Sequence, residues 1–385
     1  MTRGSSPRAA VSLLPPLLLL LLSPPPSETV AAAAALRARR YDSIFSFGDS
    51  YTDTGNNPVV FAWYDVPNPV MRPPYGSTFF GHPTGRNCDG RLAIDFIAQG
   101  LGLPLVPPFL AHDGSFRRGA NFAVGGATAV DAAFFHDGDP SGADKFPLNT
   151  SLGVQLQWFD SLKPSLCTTA QECKEFFGRS LVFVGELGYN DYASSLSKGK
   201  SVRQLRSLVP EIISTISMAI ERLVKHGAAS FLVSGMVPAG CEPPTLVFFS
   251  DAGPASYDPR TGCFKEMNEL SIYHNSLLQE SLETIRAKHP DVEITYADFF
   301  SPIMEMVESP GKFGFEEDVL TVCCGGPGRY HLNTVIYCGD PAATNCKDPS
   351  ARLFWDGAHL TEAAYRYIAD DWLSSINKPA SSSSL

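Results

Sequence analysis

Residues 45–57 read Phe-Ser-Phe-Gly-Asp-Ser-Tyr-Thr-Asp-Thr-Gly-Asn-Asn, a short apolar run that stops in a turn rich in Gly, Asp and Asn. A buried strand that ends in such a turn places the hydroxyl of Ser50 at the carboxyl end of the strand. In an open α/β sheet, this edge is where ligands bind. The stretch therefore predicts an α/β fold with Ser50 as a candidate nucleophile.

Further apolar runs resemble buried parallel strands, and segments of helical periodicity lie between them. Apolar side chains between 209 and 224 recur at three- and four-residue steps, and Gly227 follows as a stop signal. The same pattern recurs between 270 and 285, before Pro290. This alternation predicts a doubly wound parallel sheet. The predicted strands are 44–47, 181–184, 231–233 and 292–296.

Composition favours one large folded domain. The chain has 385 residues, of which 44% are hydrophobic and 18% charged, enough to bury a sizeable core. Neither a Pro/Ser-rich linker nor a charge run divides residues 41–376, so we predict a single domain over 36–378. The formal net charge is −10, and no basic cluster interrupts it, which argues against nucleic acid as a partner.

The two ends of the chain differ from this domain. Residues 1–35 carry Arg3 and Arg8, then a leucine-rich run, then alanines, which is typical of a secretory signal peptide cleaved within the alanines. The apolar run is shorter than the roughly 18 residues that span a membrane, and prolines interrupt it. We therefore predict export without stable membrane insertion. Residues 379–385 are predicted to form a disordered serine-rich tail.

Export changes how the nine cysteines are interpreted, because an oxidising compartment favours disulfides. The odd number leaves at least one thiol unpaired. Cys167 with Cys173 and Cys241 with Cys263 are the pairs closest in sequence that could staple loops. The pairing of the last four stays open at this point. The remaining cysteines are Cys88, Cys323, Cys324, Cys338 and Cys346.

Motifs for metals are missing from the sequence, and one motif for glycosylation is present. Neither a Cys-x-x-Cys pair nor a His-Glu-x-x-His sequence occurs, so we predict no metal and no cofactor. Asn149 begins the sequon Asn-Thr-Ser in a polar loop and is a predicted glycosylation site. Three histidines are interpreted as ordinary surface or packing residues: His82, His274 and His331.

Residues 355–365 supply the groups that a serine nucleophile needs. They read Trp-Asp-Gly-Ala-His-Leu-Thr-Glu-Ala-Ala-Tyr and carry Asp356 three residues before His359. A neutral hydroxyl attacks an ester only if a base takes its proton and a third group orients that base. Ser50, His359 and Asp356 are therefore predicted to form a catalytic triad. The Gly-x-Ser-x-Gly turn of the α/β-hydrolases is absent, because Thr52 occupies its last position.

Four blocks in order now resemble a known family. Gly-Asp-Ser at 48–50, Gly-Ala-Asn-Phe-Ala-Val-Gly-Gly-Ala at 119–127, Gly-Tyr-Asn-Asp at 188–191, and Asp-x-x-His at 356–359 are similar to those of the SGNH hydrolases. The plant GDSL esterase/lipase family is the nearest match, over roughly 41–376. The resemblance implies a flavodoxin-like sheet with helices on both faces, and a serine carboxylic-ester hydrolase that needs no cofactor.

The resemblance also implies an oxyanion hole with three donors. These are the backbone N–H of Ser50, a backbone N–H of the second block, and the side-chain amide of Asn190. Alignment within the second block points to Gly126, with Gly125 one step away.

Three long loops, at 52–90, 235–262 and 319–353, are dense in Pro, Gly, Cys and aromatic residues. Long loops within a domain are usually functional or disordered. We interpret them as walls of a substrate cleft, with surface decoration as the alternative. Their rings are expected to stack on sugar faces and narrow the acyl pocket: Trp63, Tyr64, Tyr75, Phe79 and Phe80.

The third and fourth blocks are similar to those of the branch that includes acetyl-xylan esterases. This implies removal of O-acetyl groups from a cell-wall polysaccharide such as xylan. Open alternatives are a lipase, an esterase of small metabolites, an acyltransferase with the same acyl-enzyme, and a non-catalytic binding protein, which the intact triad disfavours. The expected location is the apoplast or cell wall, with the Golgi as the alternative. The oligomeric state is left open.

Overall fold

Five parallel strands form the central sheet of the computed structural model, which describes Met1 and residues 40–136 and 145–376. They are ordered β2-β1-β3-β4-β5, the order of flavodoxin-like sheets. The predicted doubly wound parallel sheet is therefore confirmed. The strands are β1 (Ser43–Phe47), β2 (Gly119–Asn121), β3 (Ser180–Val184), β4 (Ser230–Ser234) and β5 (Glu293–Ala297).

Helices connect the strands and follow the last one. They are α1 (Asn57–Trp63), α2 (Ala93–Gly100), α3 (Ala133–His136), α4 (Leu152–Leu162), α5 (Ala170–Gly178), α6 (Tyr189–Ser197), α7 (Val202–Lys225), α8 (Pro243–Phe248), α9 (Lys265–Lys288), α10 (Phe300–Glu308) and α11 (Glu362–Ile376). A two-residue antiparallel ladder joins β6 (Cys324–Gly325) to β7 (Thr344–Asn345). No helix in the described part of the chain is long and apolar enough to cross a membrane.

Aromatic side chains show that helices cover both faces of the sheet. Phe45 pairs with Val182 in the ladder and contacts Phe177 of α5, with ring centroids 5.3 Å apart. Successive side chains of a strand point to opposite faces, so Phe183 lies on the other face. There it contacts Trp372 of α11 at 5.9 Å. The apolar strands are therefore buried from both sides, as their continuous apolar runs predicted.

The predicted strands and helices are all present, with ends that differ by a few residues. The largest difference is α7, which begins at Val202 and contains Pro210. Gln204 Oε1 accepts the N–H of Ser201 at 2.9 Å and caps the helix start. The strand β2 was not predicted, because its three residues, Gly-Ala-Asn, carry no apolar periodicity.

All nine cysteines lie in the described residues, and eight form disulfides. The two predicted pairs, Cys167–Cys173 and Cys241–Cys263, are confirmed. The pairs that the sequence left open are Cys323–Cys346 and Cys324–Cys338. The unpaired thiol is the buried Cys88, whose pKa burial raises well above its ordinary value.

The described residues from Arg40 onward form one compact unit. The predicted signal peptide and serine-rich tail lie outside the described residues. The domain limits 36 and 378 therefore stay predictions.

Candidate active site

The turn after β1 fixes Ser50 at the carboxyl edge of the sheet. Gly48 begins the turn with a φ of 142°, which disfavours any side chain, and a Cβ there would lie 3.2 Å from the Cα of Gly185. Gln155 Oε1 accepts the Gly48 N–H at 2.9 Å, and Gln155 Nε2 donates to the Gly48 carbonyl at 2.8 Å. The turn that carries Ser50 is therefore held by α4.

The structure brings together the three residues predicted to form a triad. His359 Nε2 lies 2.8 Å from Ser50 Oγ, and His359 Nδ1 lies 2.7 Å from Asp356 Oδ1. Because a carboxylate only accepts hydrogen bonds, the proton of the neutral imidazole belongs on Nδ1, which leaves Nε2 to accept from the Ser50 hydroxyl. This arrangement can take the serine proton as Oγ attacks a carbonyl carbon.

Opposing effects set the charge of His359. Burial disfavours the imidazolium, but the charge and hydrogen bond of Asp356, aided by the charge of Asp49, outweigh burial. The pKa of His359 is therefore raised above its ordinary value. A more basic imidazole is a better proton acceptor in its neutral form.

Tyr75 holds the second oxygen of Asp356. Its hydroxyl donates to Asp356 Oδ2 at 2.6 Å, and its ring packs edge-on against Trp355. Burial, and then the charge of Asp356, raise the pKa of Tyr75 well above its ordinary value, so the hydroxyl keeps the proton that it donates. With both oxygens engaged, Asp356 is fixed in its orientation toward His359.

Hydrogen bonds distinguish the two glycines of the second block. The N–H of Gly125 donates to Asp53 Oδ2 at 3.0 Å. Within the described residues, the N–H groups of Gly126 and Ser50 have no such acceptor. Gly126 has a φ of 81°, and a Cβ there would face open space. The free donor is therefore Gly126, the glycine chosen from the alignment.

Asn190, in the first turn of α6, is aimed at the second block. Its Nδ2 donates to Asp49 Oδ2 at 2.9 Å and to the carbonyl of Ala127 at 3.1 Å. Both amide hydrogens are thus engaged within the protein. An oxyanion bound to Nδ2 would share one of them with an internal acceptor.

Two buried carboxylates that the sequence analysis missed fix the loops around Ser50. Burial raises the pKa of Asp53 to about 6 and that of Asp191 to about 7, although backbone N–H bonds favour their charged forms. Both lie inside or beside the family blocks, and this position in the sequence is the signal that could have identified them. Asp53 accepts from the N–H groups of Gly55, Asn56, Asn57 and Gly125, and Asp191 from those of Ala129 and Val130.

A carboxyl pair lies behind the serine. Asp49 accepts from the N–H of Tyr51 at 2.9 Å, and Glu186 accepts from the N–H of Tyr189 at 3.1 Å. The other oxygen of Glu186 is buried without a hydrogen-bond partner among the described residues. Burial raises the pKa of Asp49 to about 6, and burial with the charge of Asp49 raises that of Glu186 well above its ordinary value. The pair therefore binds a proton more readily than two solvated carboxyl groups would.

Ser50 and His359 open into a cleft of about 870 Å³. All three long loops contribute to its walls, as expected for cleft walls, and the binding of substrate there stays a prediction. An ion pair of 2.8 Å between Arg72 and Asp340 joins the first loop to the third. The apolar lining includes Phe61 and Val66 from the first loop, Pro244, Val247 and Phe248 from the second, and Leu332 and Tyr337 from the third.

The prediction of which rings line the cleft was largely wrong. Of the five, the lining in the described residues includes only Tyr75, and its hydroxyl is committed to Asp356. Arg91 lies over the ring of Phe79, and Arg86 over that of Phe80. The remaining two, Trp63 and Tyr64, are also outside the lining. The composition of the loops predicted that they form the cleft walls, but it did not predict the direction in which each aromatic ring points.

The other predicted positions lie apart from this chemistry. The side chain of Asn149 is exposed, as glycosylation requires. His274 is buried, which lowers its pKa to about 3, and its Nδ1 lies 2.9 Å from the Tyr192 hydroxyl. His331 bonds to backbone and side-chain oxygens of its own loop, and His82 is exposed. Over residues 40–136 and 145–376, no group of His, Cys, Asp or Glu is arranged to hold a metal ion.

Comparisons with known proteins agree with this geometry. Residues 44–372 match the family model described as GDSL-like Lipase/Acylhydrolase. The GDSL esterase/lipase At5g45910 of Arabidopsis thaliana is 45% identical over 341 residues, which cover 87% of this chain and 91% of that protein. Two further Arabidopsis thaliana proteins, GDSL esterase/lipases At2g27360 and At1g28590, are 42% and 43% identical over 336 and 338 residues. These alignments cover 87% and 88% of this chain, and 84% and 83% of the two relatives.

Proposed function

The chain belongs to the GDSL-like lipase/acylhydrolase family and is a carboxylic-ester hydrolase, and on that premise we propose that Ser50, His359 and Asp356 carry out the hydrolysis. The observation that supports this most directly is the unbroken hydrogen-bond chain from Ser50 Oγ through the imidazole to Asp356, at the mouth of an 870 Å³ cleft.

In the first step, Ser50 Oγ attacks the ester carbonyl while His359 Nε2 takes the hydroxyl proton. The oxyanion is stabilised by the N–H groups of Ser50 and Gly126 and by the amide of Asn190. The imidazolium then gives its proton to the departing alcohol, and the acyl group stays on Ser50. Water repeats the same steps on the acyl-enzyme and releases the acid.

The test is the loss of turnover in Ser50→Ala. This variant removes one hydroxyl, so we expect no measurable hydrolysis of p-nitrophenyl acetate, no labelling by a serine-reactive phosphonate, and an unchanged melting temperature. Ser276→Ala, at an exposed position of α9, is the matched control and keeps both signals. Activity near the wild-type rate in Ser50→Ala would refute the mechanism.

For the substrate, we propose removal of O-acetyl groups from a cell-wall polysaccharide such as xylan. The proposal rests on the resemblance of blocks 185–191 and 356–359 to the branch that includes acetyl-xylan esterases. The lining of the cleft also includes polar residues, among them Asn68, Asn87 and Asn333.

The apolar walls favour a second candidate, an ester with a long or aromatic acyl group. Phe61 packs against Phe146 with centroids 6.0 Å apart, and both rings line the cleft together with the largely exposed Phe248. Such surfaces gain free energy by covering an apolar acyl chain. This candidate corresponds to the lipase and small-metabolite alternatives.

The two candidates differ in their preference for acyl length. Polysaccharide deacetylation requires kcat/KM to fall from acetyl to butyryl to dodecanoyl p-nitrophenyl esters, and acetate to be released from acetylated xylan. A preference for the twelve-carbon ester, with no acetate from xylan, would support the lipase instead. Ester formation on an added alcohol at the expense of hydrolysis would indicate an acyltransferase.

We also propose that the enzyme enters the secretory pathway and acts in the apoplast or cell wall, with the Golgi as the alternative. The leader pattern of residues 1–35, four disulfides and the exposed Asn149 support export. Fractionation of a tagged full-length chain, with Asn149→Gln as the glycan control, tests this. Retention in the cytosol without a glycan would refute it.

A further inference from the structure

Glu242 is a fully buried carboxyl group close to the triad that the mechanism above does not use. It precedes the first residue of α8, next to the Cys241–Cys263 disulfide. Its Oε1 lies 3.2 Å from the hydroxyl of Tyr51, and its Oε2 has no hydrogen-bond partner among the described residues. A buried carboxylate with so few partners is unfavourable, so the neutral acid is expected here.

Counting hydrogens at Tyr51 leads to the same conclusion. The Tyr51 hydroxyl has one hydrogen but lies near two oxygens: the Ala358 carbonyl at 2.7 Å and Glu242 Oε1 at 3.2 Å. A carbonyl can only accept, and it makes the shorter bond, so the hydroxyl donates to Ala358. The contact with Glu242 is then satisfied only if the carboxyl group carries a proton and donates it to Tyr51.

This hydrogen-bond chain ends on the segment that carries the base. Ala358 directly precedes His359, and Tyr51 directly follows Ser50. The Tyr51 ring also packs edge-on against the imidazole, with centroids 5.7 Å apart. One relay therefore connects the second loop to both the nucleophile and the base.

We propose that Glu242 is a positioning residue that donates through Tyr51 to the Ala358 carbonyl and so fixes His359 relative to Ser50. The inference rests on the proposed roles of Ser50 and His359. Burial raises the pKa of Glu242 well above its ordinary value, in agreement with the neutral acid; the contact with Tyr51 lowers it, and the charges of Asp356 and Asp49 raise it further. The relay acts on geometry, and small displacements of catalytic groups are costly to turnover.

The experiment compares Glu242→Gln with Glu242→Leu and Tyr51→Phe in the full-length protein. Gln keeps a neutral donor for Tyr51, so we expect kcat within about threefold of wild type. Leu removes the donor and Phe removes the hydroxyl, so each should lower kcat roughly ten- to hundredfold, with KM changed less than twofold. The double variant that combines Glu242→Leu with Tyr51→Phe should have a kcat no lower than that of the poorer single variant, because both substitutions break the same relay.

Wild-type kcat in Glu242→Leu, or equal losses in Gln and Leu variants that melt like wild type, would overturn the proposal. If Glu242→Leu does not fold, the comparison of Tyr51→Phe with Glu242→Gln decides in its place.

A readout independent of turnover separates this proposal from the proposed function. The low-field proton NMR signal of His359 Nδ1–H reports how firmly the imidazole is held against Asp356. In a Ser50→Ala background, we expect this signal to persist with Glu242→Gln and to broaden through solvent exchange with Glu242→Leu. An unchanged signal in the Leu variant would refute the relay, whereas residual hydrolysis in Ser50→Ala would refute the serine mechanism alone.

Discussion

At the scale of single residues, the orientation of His359, the proposed base, is fixed on both sides of the imidazole ring. Asp356 engages one nitrogen and Ser50 the other, and Tyr75 keeps Asp356 from rotating. A histidine held in this way accepts a proton only while it is neutral. The rate of hydrolysis therefore depends on the pKa of its imidazole.

We expect kcat/KM to fall as the pH drops through the raised pKa of His359, which lies above its ordinary value of 6.5. This fall forms the acidic limb of the pH profile, because protonation of His359 removes the base. Asp356→Asn removes the main charge that favours the imidazolium, so the limb should move to lower pH while kcat falls by roughly four orders of magnitude. The measurement is a pH series of kcat/KM for both proteins. A wild-type limb below 6.5, or a limb unmoved in Asp356→Asn, would contradict this.

Asn190→Ala should lower kcat about a hundred- to a thousandfold, the usual effect of losing one oxyanion donor, with KM little changed. The amide hydrogens of Asn190 already have acceptors within the protein, so the amide stabilises the oxyanion of the transition state by sharing one of these hydrogens with it. Steady-state kinetics on p-nitrophenyl acetate measures both constants. A rise in KM alone would show that Asn190 binds substrate in the ground state.

At the scale of elements, the cysteine-rich third loop is joined directly to the segment that carries Asp356 and His359. The N–H of Cys323 donates to the carbonyl of Phe354 at 3.0 Å, and that of Cys324 to Trp355 at 2.7 Å. The disulfides of this loop therefore restrain the residues that precede Asp356.

Replacing Cys324 and Cys338 together by Ser should lower the free energy of unfolding by about 3 kcal/mol, the chain-entropy effect for a loop of this size, and should also lower kcat. The matched control replaces Cys167 and Cys173, which close a shorter loop outside the cleft lining. This control should lose less stability and keep its kcat. Urea unfolding and turnover are measured on both variants, and equal kcat values would contradict the coupling.

The elements that the sequence predicted are those whose signal is local. Each apolar run that predicts a strand, and each block around Ser50 or His359, is contained in a short stretch of sequence. Tyr75 and Asp356 are 281 residues apart, and Tyr51 and Glu242 are 191 apart, so no periodicity or spacing indicates that they meet. The direction of loop rings such as Phe79 depends on partners that only the folded chain brings near.

At the scale of the whole molecule, several carboxyl groups around the site are buried in the folded state. The pKa is raised from 3.8 to about 6 for Asp49 and Asp53 and to about 7 for Asp191, mainly by burial. The folded state therefore binds protons more tightly than the unfolded chain between pH 4 and 7. The contribution of these groups to the free energy of unfolding is therefore greatest below pH 3.8, and it is lost as the pH rises through their pKa values in the folded state.

We accordingly expect the free energy of unfolding to be lower at pH 8 than at pH 5, by on the order of 3 kcal/mol. The raised pKa of His359 acts in the same direction, whereas the pKa of His274, which burial lowers to about 3, acts in the opposite direction and offsets part of the difference. Urea unfolding of the full-length protein at the two pH values, with salt held constant, measures the difference. Greater stability at pH 8 would show that these carboxylates are ionised and well solvated in the folded state.

The hydrogen bond between Ser50 and His359 joins positions 309 residues apart. During synthesis, Ser50 is therefore made 309 residues before His359. A ribosome-bound chain that carries only the strands β1 to β3 lacks the proposed base. Under the proposed mechanism, such a chain holds the serine hydroxyl without a group that takes its proton, so it cannot yet hydrolyse an ester.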